Sequence, residues 1–304
     1  MPGYHLPLFA ADATGIWESH GLEVELVDPA PGPENAKAVA DGHYDACLTS
    51  VAHFLNAKAD EPTLAAMFVF MIARRLHLAA FAIEARPAEH GRPIAEIRDL
   101  EGASFLGEAE SPFVREYIAL LHSLALEPGR GVPVAYDDQF SALAAGEGDV
   151  GIDFLNLRPR FAAELRARQR LCTLPFFRAG IDLYGSGLVV GTRWLKSGRE
   201  TARRLAAALR DSLMVTRADP VAGLDGLIRR FPETDPKIAL SGWTAGVPLV
   251  FAGELGGMDG ETWRRTIEHH ALVHGTPRFD VDSVFEDVLV SGRTRAATGA
   301  AANH

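Results

Sequence analysis

Few side chains in this sequence stand at spacings that chemistry demands. There are two cysteines, Cys47 and Cys172, so neither a disulfide framework nor a cysteine-rich zinc site can form. Cys47 sits at the carboxyl end of a strand-like run, where open α/β sheets place ligands, and it is a candidate nucleophile. With Ala46 and Leu48 beside it, the plainer reading is a core residue. Glu268-His269-His270 with His274 places His270 and His274 four apart on one helical face, a spacing that can chelate a metal. No third ligand stands nearby, and the competing reading is an exposed polar face. A GxSxG elbow, a GxxxxGK[ST] loop, an HExxH helix and a GxGxxG turn are all missing.

More information lies in two pairs that follow strand-like runs. Ser111-Pro112, after the run Ala103 to Leu106 and Gly107, reads as an N-cap followed by proline at the first helical position. Free backbone N–H groups there would receive a hydrogen-bond-accepting or anionic ligand. Thr49-Ser50, after a run ending at Leu48, repeats the arrangement. Ser and Thr also cap helices with no ligand present. Arg158, Arg160, Arg166, Arg168 and Arg170 form the strongly basic stretch of the chain, read either as a docking patch or as a solvated helix face with Leu157, Phe161 and Leu165 turned inward.

The 304 residues are 47% hydrophobic and 23% charged, which is an ordinary globular composition and excludes a fibre or a disordered tail. At roughly 100–200 residues per domain, the length suggests two domains. A formal charge of −10 has the wrong sign for neutralising nucleic-acid phosphates, so nucleic acid is not an expected partner. The apolar run Leu64 to Ala73 is about half of the ~20 residues a membrane helix needs and reads as a buried strand. The opening MPGYHLPLFAADATG carries no basic segment followed by an apolar core, so no secretory signal is visible.

The elements that would position these residues alternate between helix and strand, the pattern of an α/β fold. The periodicity predicts a helix over Leu6 to His20 capped by Gly21, a strand over Leu22 to Val27, a helix over Glu34 to Ala40, a strand over Tyr44 to Leu48 and a helix from Ser50 to Asp60. Strands Thr63 to Ile72 and Leu76 to Ile83 follow, and an excursion begins there. It holds strands Ala103 to Leu106, Val132 to Ala135 and Asp149 to Ile152, and helices Pro112 to Leu124, Asp138 to Ala145 and Phe154 to Arg168. Strands Leu171 to Phe177 and Gly187 to Val190 close it. From Glu200 the pattern is helical, with breaks at Pro220, Pro232, Gly242 and Gly256-Gly257, and the last residues, from about Ser291, read as frayed. The result is two α/β lobes, one inserted in the other.

In their order, these features resemble the type 2 periplasmic binding proteins, and among them the nitrate, sulfonate, taurine and thiamine-pyrimidine-precursor binding components of ABC importers. The resemblance runs through His5 to Ala11, Gly15 to Glu25 (GIWESHGLEVE), Asp41 to Ala46, Ile97 to Gly102, Ala144 to Asp149, Gly180 to Gly187 (GIDLYGSG) and Gly256 to Asp259 with Trp263. It implies two lobes, each a mainly parallel sheet flanked by helices, with the ligand cleft between them. Lobe one would comprise 1–80 and 188–304, and lobe two 81–187, with crossovers near Leu78 to Ile83 and Gly187 to Val190. The function implied is to bind a small molecule by hinge closure and present it to membrane permease subunits, as a monomer without a cofactor or metal. The family is usually exported, to the periplasm or cell surface, with an apolar first strand before the position of His5; a cytoplasmic relative is the other possibility.

The cleft positions implied by the resemblance are His5, Leu6, Thr49, Ser50, Arg74, Glu108, Ser111, Phe113, Asp153, Asp182 and Tyr184. Thr49, Ser50 and Ser111 would donate, Phe113 and Tyr184 would flank a planar or apolar body, and Glu108, Asp153 and Asp182 would accept from amino groups. Three carboxylates favour a heterocyclic amine such as a pyrimidine over nitrate or a sulfonate, unless Arg74 intervenes. The same fold also hosts enzymes, pyrimidine synthases and desulfinases, so an enzyme using Cys47 or His5 is the alternative.

Overall fold

The computed structural model describes residues 5–28, 32–61 and 66–289. Helix α1 (Leu6–Ala13) carries Pro7 in its first turn, where the missing N–H costs nothing, and it buries Leu6, Phe9, Ala10 and Ala11. The single helix expected over Leu6 to His20 divides at Gly15, which adopts φ +69° and starts the short α2 (Ile16–Ser19). Gly21 is left-handed as expected of a cap. The stretch Leu22 to Val27 forms no ladder, although Leu22, Val24 and Leu26 pack on the core beneath. Its alternation records a half-buried extended segment and not a sheet member.

After α3 (Gly32–Asp41), strand β1 (Ala46–Ser50) runs directly into α4 (Val51–Asp60). Strands β2 (Ala66–Ala73) and β3 (Leu78–Ile83) are buried at every position, as uninterrupted apolar runs require. The inserted stretch contains β4 (Phe105–Leu106), α5 (Pro112–Ser123), β5 (Gly131–Val132), α6 (Gln139–Ala145), β6 (Gly151–Phe154), α7 (Arg158–Glu164) and β7 (Leu171–Pro175). The chain returns through β8 (Ser186–Gly191) and ends in α8 (Thr192–Ala218), α9 (Leu224–Arg230), α10 (Pro236–Val250) and α11 (Gly260–His274). Gly242, expected as a break, lies inside α10 and is buried there, so it does not end the helix.

Two sheets organise the molecule, in the orders β1-β8-β2 and β6-β3-β7, with β4 and β5 paired beside them. The pairings of β8 with β1 and β2, and of β3 with β6 and β7, are antiparallel. β8 comes back from the insertion and so opposes both of its neighbours. The mainly parallel sheets expected within the lobes are not what the ladders form: among the described residues parallel pairing is confined to β4 with β5 and to the bridges Phe105 to Val150 and Phe68 to Phe285.

Each sheet has its own hydrophobic cores. One group packs α1, α8, α9, α10 and α11 on the β1-β8-β2 sheet, around Leu6, Phe70, Trp243 and Trp263. The other packs α5, α6 and α7 on β6-β3-β7, around Phe81, Tyr117, Phe161 and Phe176. Between them pass the segments 74–77 and 176–185, tied by Leu76 N–H to the Leu183 carbonyl at 2.6 Å and Gly185 N–H to the Ala73 carbonyl at 3.0 Å. This is a two-lobed α/β fold.

At the root of these crossovers Gly187 lies between Thr49 of β1 and Met71 of β2. A Cβ there would stand 2.2 Å from the Phe70 carbonyl oxygen, so β8 would have to move away from β2. Gly187→Ala is expected to cost about 1–3 kcal/mol by overpacking. A urea midpoint equal to that of the wild type would contradict this.

Candidate functional site at the seam between the lobes

Where the two groups of cores meet, Ser50, Ala52 and Gly185 face Pro112, Phe113, Glu116 and Phe154, with Leu76 and Leu78 of the crossover between them. Ser50 is placed by the strand-to-helix turn: it is the N-cap of α4, and its Oγ accepts from the His53 N–H at 3.1 Å. Ser111 is the N-cap of α5 by backbone geometry alone, its side chain making no capping bond. Pro112 opens α5 and sets Phe113 against Phe154, with ring centres 4.7 Å apart. Phe154 in turn stacks on His77 at 4.1 Å. Burial pushes the His77 ring down to about 3, so it is a neutral, flat partner. The enclosed cavity at this point is about 20 Å³, the space of one water.

Asp153, at the end of β6, is fully buried behind this aromatic stack. Its Oδ1 accepts from Tyr136 Oη at 3.1 Å and from the Phe154 N–H at 2.7 Å, and its Oδ2 from Gln139 Nε2 at 2.9 Å. Burial pushes this carboxyl up to about 7, against the pull of the Phe154 and Tyr136 bonds. Its hydrogen-bonding capacity is spent on the wall that carries Phe113 and Phe154.

The structure brings Ser50, Phe113 and, one layer behind, Asp153 to the seam. Thr49 is buried on β1 opposite Gly187. Leu6 is fully buried in the core under α1, while His5 stands half-buried at the α1 N-cap. Arg74, on the first crossover, donates to the Glu254 carbonyl at 2.9 Å. Asp182, on the second, pairs with Arg75 at 3.2 Å on an exposed face. Tyr184 is buried against Trp263, and its hydroxyl donates to Asp259 at 3.0 Å. Glu108 is exposed in the turn before α5.

Cys47 is half-buried on β1 and its thiol is pushed up to about 12 by burial, so it carries no thiolate at neutral pH. The C-terminal histidines are not an exposed face. His270 is buried and packs tilted against His274, with ring centres 4.3 Å apart, and its Nδ1 lies 3.0 Å from Thr276 Oγ1. His269 and His274 donate to Glu116 of α5 at 2.7 and 2.9 Å. Among the described residues no group of three or more His, Cys, Asp and Glu is arranged to hold a metal ion. Glu116 escaped the sequence reading, and its signal was an acidic residue among Val114, Tyr117, Leu120 and Leu121 on the inward face of α5.

A larger groove of about 590 Å³ opens between α10 and the inserted lobe. Arg158, Thr173, Phe177 and Arg178 line one wall, and Ser241 and Leu249 are on the other. Arg158 Nε donates to Thr173 Oγ1 at 3.2 Å. The lining contains no Asp or Glu. The basic stretch is therefore divided: Phe161 and Leu157 turn inward as expected, Arg158 faces the groove, and Arg160 pairs with Asp137.

The fold is that of the two-lobed periplasmic binding proteins. The aliphatic sulphonate binding protein SsuA of Escherichia coli matches with a TM-score of 0.73 at 14% identity, over 92% of this chain and 94% of that one. The alkanesulfonate-binding protein SsuA of Xanthomonas axonopodis pv. citri, bound to MOPS, matches with a TM-score of 0.69 at 13% identity, over 94% and 96%. Residues 3–222 match the NMT1/THI5-like family model, and the chain belongs to that family. A 4-amino-5-hydroxymethyl-2-methylpyrimidine phosphate synthase of Schizosaccharomyces pombe is 36% identical over 56 residues, which are 18% of this chain and 16% of that protein.

Proposed function

We propose that the protein is the solute-binding component of an ABC importer, taking up an organic anion between its lobes and presenting it to membrane permease subunits. The observation that carries this reading is the groove of about 590 Å³, walled by α10 on one side and the inserted lobe on the other. A space of this size suits a small molecule, and a ligand touching both walls favours whichever lobe arrangement brings them together. The lobe boundaries expected at 80/81 and 187/188 would cut β3 and β8, so we place them at the crossovers instead: one lobe runs up to residue 73 and resumes at 186, the other is 78–175, and closure pivots on the segments 74–77 and 176–185. Ser50 and Phe113 form the inner end of the cleft and the α10 groove its wide end. The protein acts as a monomer outside the cytoplasmic membrane.

The choice between a pyrimidine and a sulfonate turns on where the carboxylates are. Asp153 is committed to Tyr136 and Gln139, Asp182 to Arg75, and Glu116 to two histidines. The groove instead offers Arg158 and Arg178 without a carboxylate. Guanidinium groups beside an apolar wall suit a sulfonate on an aliphatic or aromatic body. The two SsuA proteins of the same fold are sulfonate-binding proteins, which supports the same choice. A protonated Cys47 gives no support to a thiol enzyme.

Thermal unfolding with hexanesulfonate, an aminopyrimidine and nitrate tests this. Hexanesulfonate at about a hundred times its dissociation constant is expected to stabilise by ~2.7 kcal/mol and to be recovered unchanged. The double variant Arg158→Ala with Arg178→Ala is expected to lose that gain. Stabilisation by the aminopyrimidine alone would transfer the assignment to thiamine precursors, and a chemically altered ligand would replace transport by catalysis.

A further inference from the structure

Glu116 belongs to α5, whose Val114, Tyr117, Leu120 and Leu121 pack into the core of the inserted lobe. His269 and His274 belong to α11, whose Trp263 and Ile267 pack into the other lobe. The bonds of 2.7 Å from His269 Nε2 to Oε2 and 2.9 Å from His274 Nε2 to Oε1 therefore cross from one lobe to the other. Both carboxylate oxygens are engaged, each by a different ring. The Glu116 and His274 side chains are 6% and 3% exposed, so water contributes little to holding them. His270 packs tilted against His274 and approaches Thr276, which steadies the ring that grips Glu116. Glu116 also walls the seam cavity beside Ser50 and Phe113. The titratable groups around it are His269, His270 and His274, all on α11.

We propose that Glu116, His269 and His274 form a clasp that holds the two lobes together without ligand, so that the unliganded protein rests in a closed arrangement. A buried carboxylate is tolerated only while both donors are in place. Opening the seam hydrates all three groups and cuts both bonds. Closing restores them and makes the region around Phe113 and Phe154 dry. The clasp rests on the two-lobed hinge reading, and it sets how much of the closing is done before a ligand arrives. A ligand that enters must wait for the clasp to open and, once inside, is kept by its closing, which slows association and slows dissociation more.

The test uses the full chain without any ligand, so it stands or fails separately from the transport assignment. Spin labels at exposed Met214 of α8 and Leu124 after α5, with Cys47 and Cys172 replaced by serine, report the distance between lobes. The otherwise native protein is expected to give one short, narrow distance distribution. Glu116→Ala is expected to raise the open-to-closed ratio roughly tenfold or more, the effect of losing hydrogen bonds to a buried charge. Glu116→Gln, which keeps the shape, is expected to give an intermediate ratio and covers the case in which Glu116→Ala fails to fold. The paired change His269→Gln with His274→Gln puts two amide donors in place of the rings and is expected to keep much of the short distance. An unchanged distribution in Glu116→Ala or Glu116→Gln overturns the clasp, and so does a native protein already open without ligand.

Discussion

Between pH 4.5 and 2 the wild-type protein is expected to lose about 3 kcal/mol of stability that the Glu116→Gln variant lacks from the outset. Burial of Glu116 opposes its charge, but the hydrogen bonds from His269 and His274 outweigh it and hold the carboxyl down to about 2, from an ordinary 4.5. A carboxylate whose proton affinity is lowered by folding contributes stability above its unfolded value and loses it as the pH falls through its folded one. At ~1.4 kcal/mol per tenfold change in proton affinity, that lowering corresponds to the expected loss. His270 and His77, both pushed down to about 3 by burial, act in the same direction over higher pH, from 6.5 downward. Asp153, pushed up to about 7, acts oppositely, losing stability as the pH rises from 3.8 through 7. His77 and Asp153 are the same in both proteins and cancel, so the difference between urea midpoints reports Glu116 together with the histidines that feel its charge. At pH 7 the variant should be less stable by about 3 kcal/mol, and near pH 2 the two should converge. Parallel curves over the whole range would remove Glu116 from the interlobe account.

The second large effect belongs to Trp263. It is fully buried on α11, 5.1 Å from Phe68, 5.2 Å from Tyr184 and 5.7 Å from Phe285, measured between ring centres. These partners come from β2, from the second crossover and from the segment after α11, so the indole joins the sheet to the path between the lobes. Trp263→Ala is expected to cost about 3–5 kcal/mol through lost contacts and the cavity left behind. Tyr184 would lose the ring that holds it, and with it the setting of its bond to Asp259. Calorimetric unfolding of the variant within 1 kcal/mol of wild type would show that the aromatic cluster closes over the gap.

Much of the fold was legible because its signals are local. The unbroken apolar runs of β2 and β3 announced buried strands, and Ser50 and Ser111 announced the helices they cap. Leu22 to Val27 misled because alternation reports which side of an extended chain is covered, not whether a neighbour pairs with it. Gly242 misled because a glycine inside a helix and a glycine ending one look the same until the packing partner is known. The candidate site was legible in part. Ser50 and Phe113 reached the seam because each sits just after a strand or at the first turn of a helix, positions that sequence marks.

Glu116, His269 and His274 could not be paired from the sequence, for they are more than 150 residues apart and belong to different lobes. By itself the sequence determined the alternation of elements and the family pattern, since hydrophobic period and capping are properties of neighbouring residues. The tertiary structure alone decided which carboxylates are spent: Asp153 on Tyr136 and Gln139, Asp182 on Arg75, Glu116 on two histidines. Charge in a folded chain is assigned by distance and burial, and both exist only once the lobes have met.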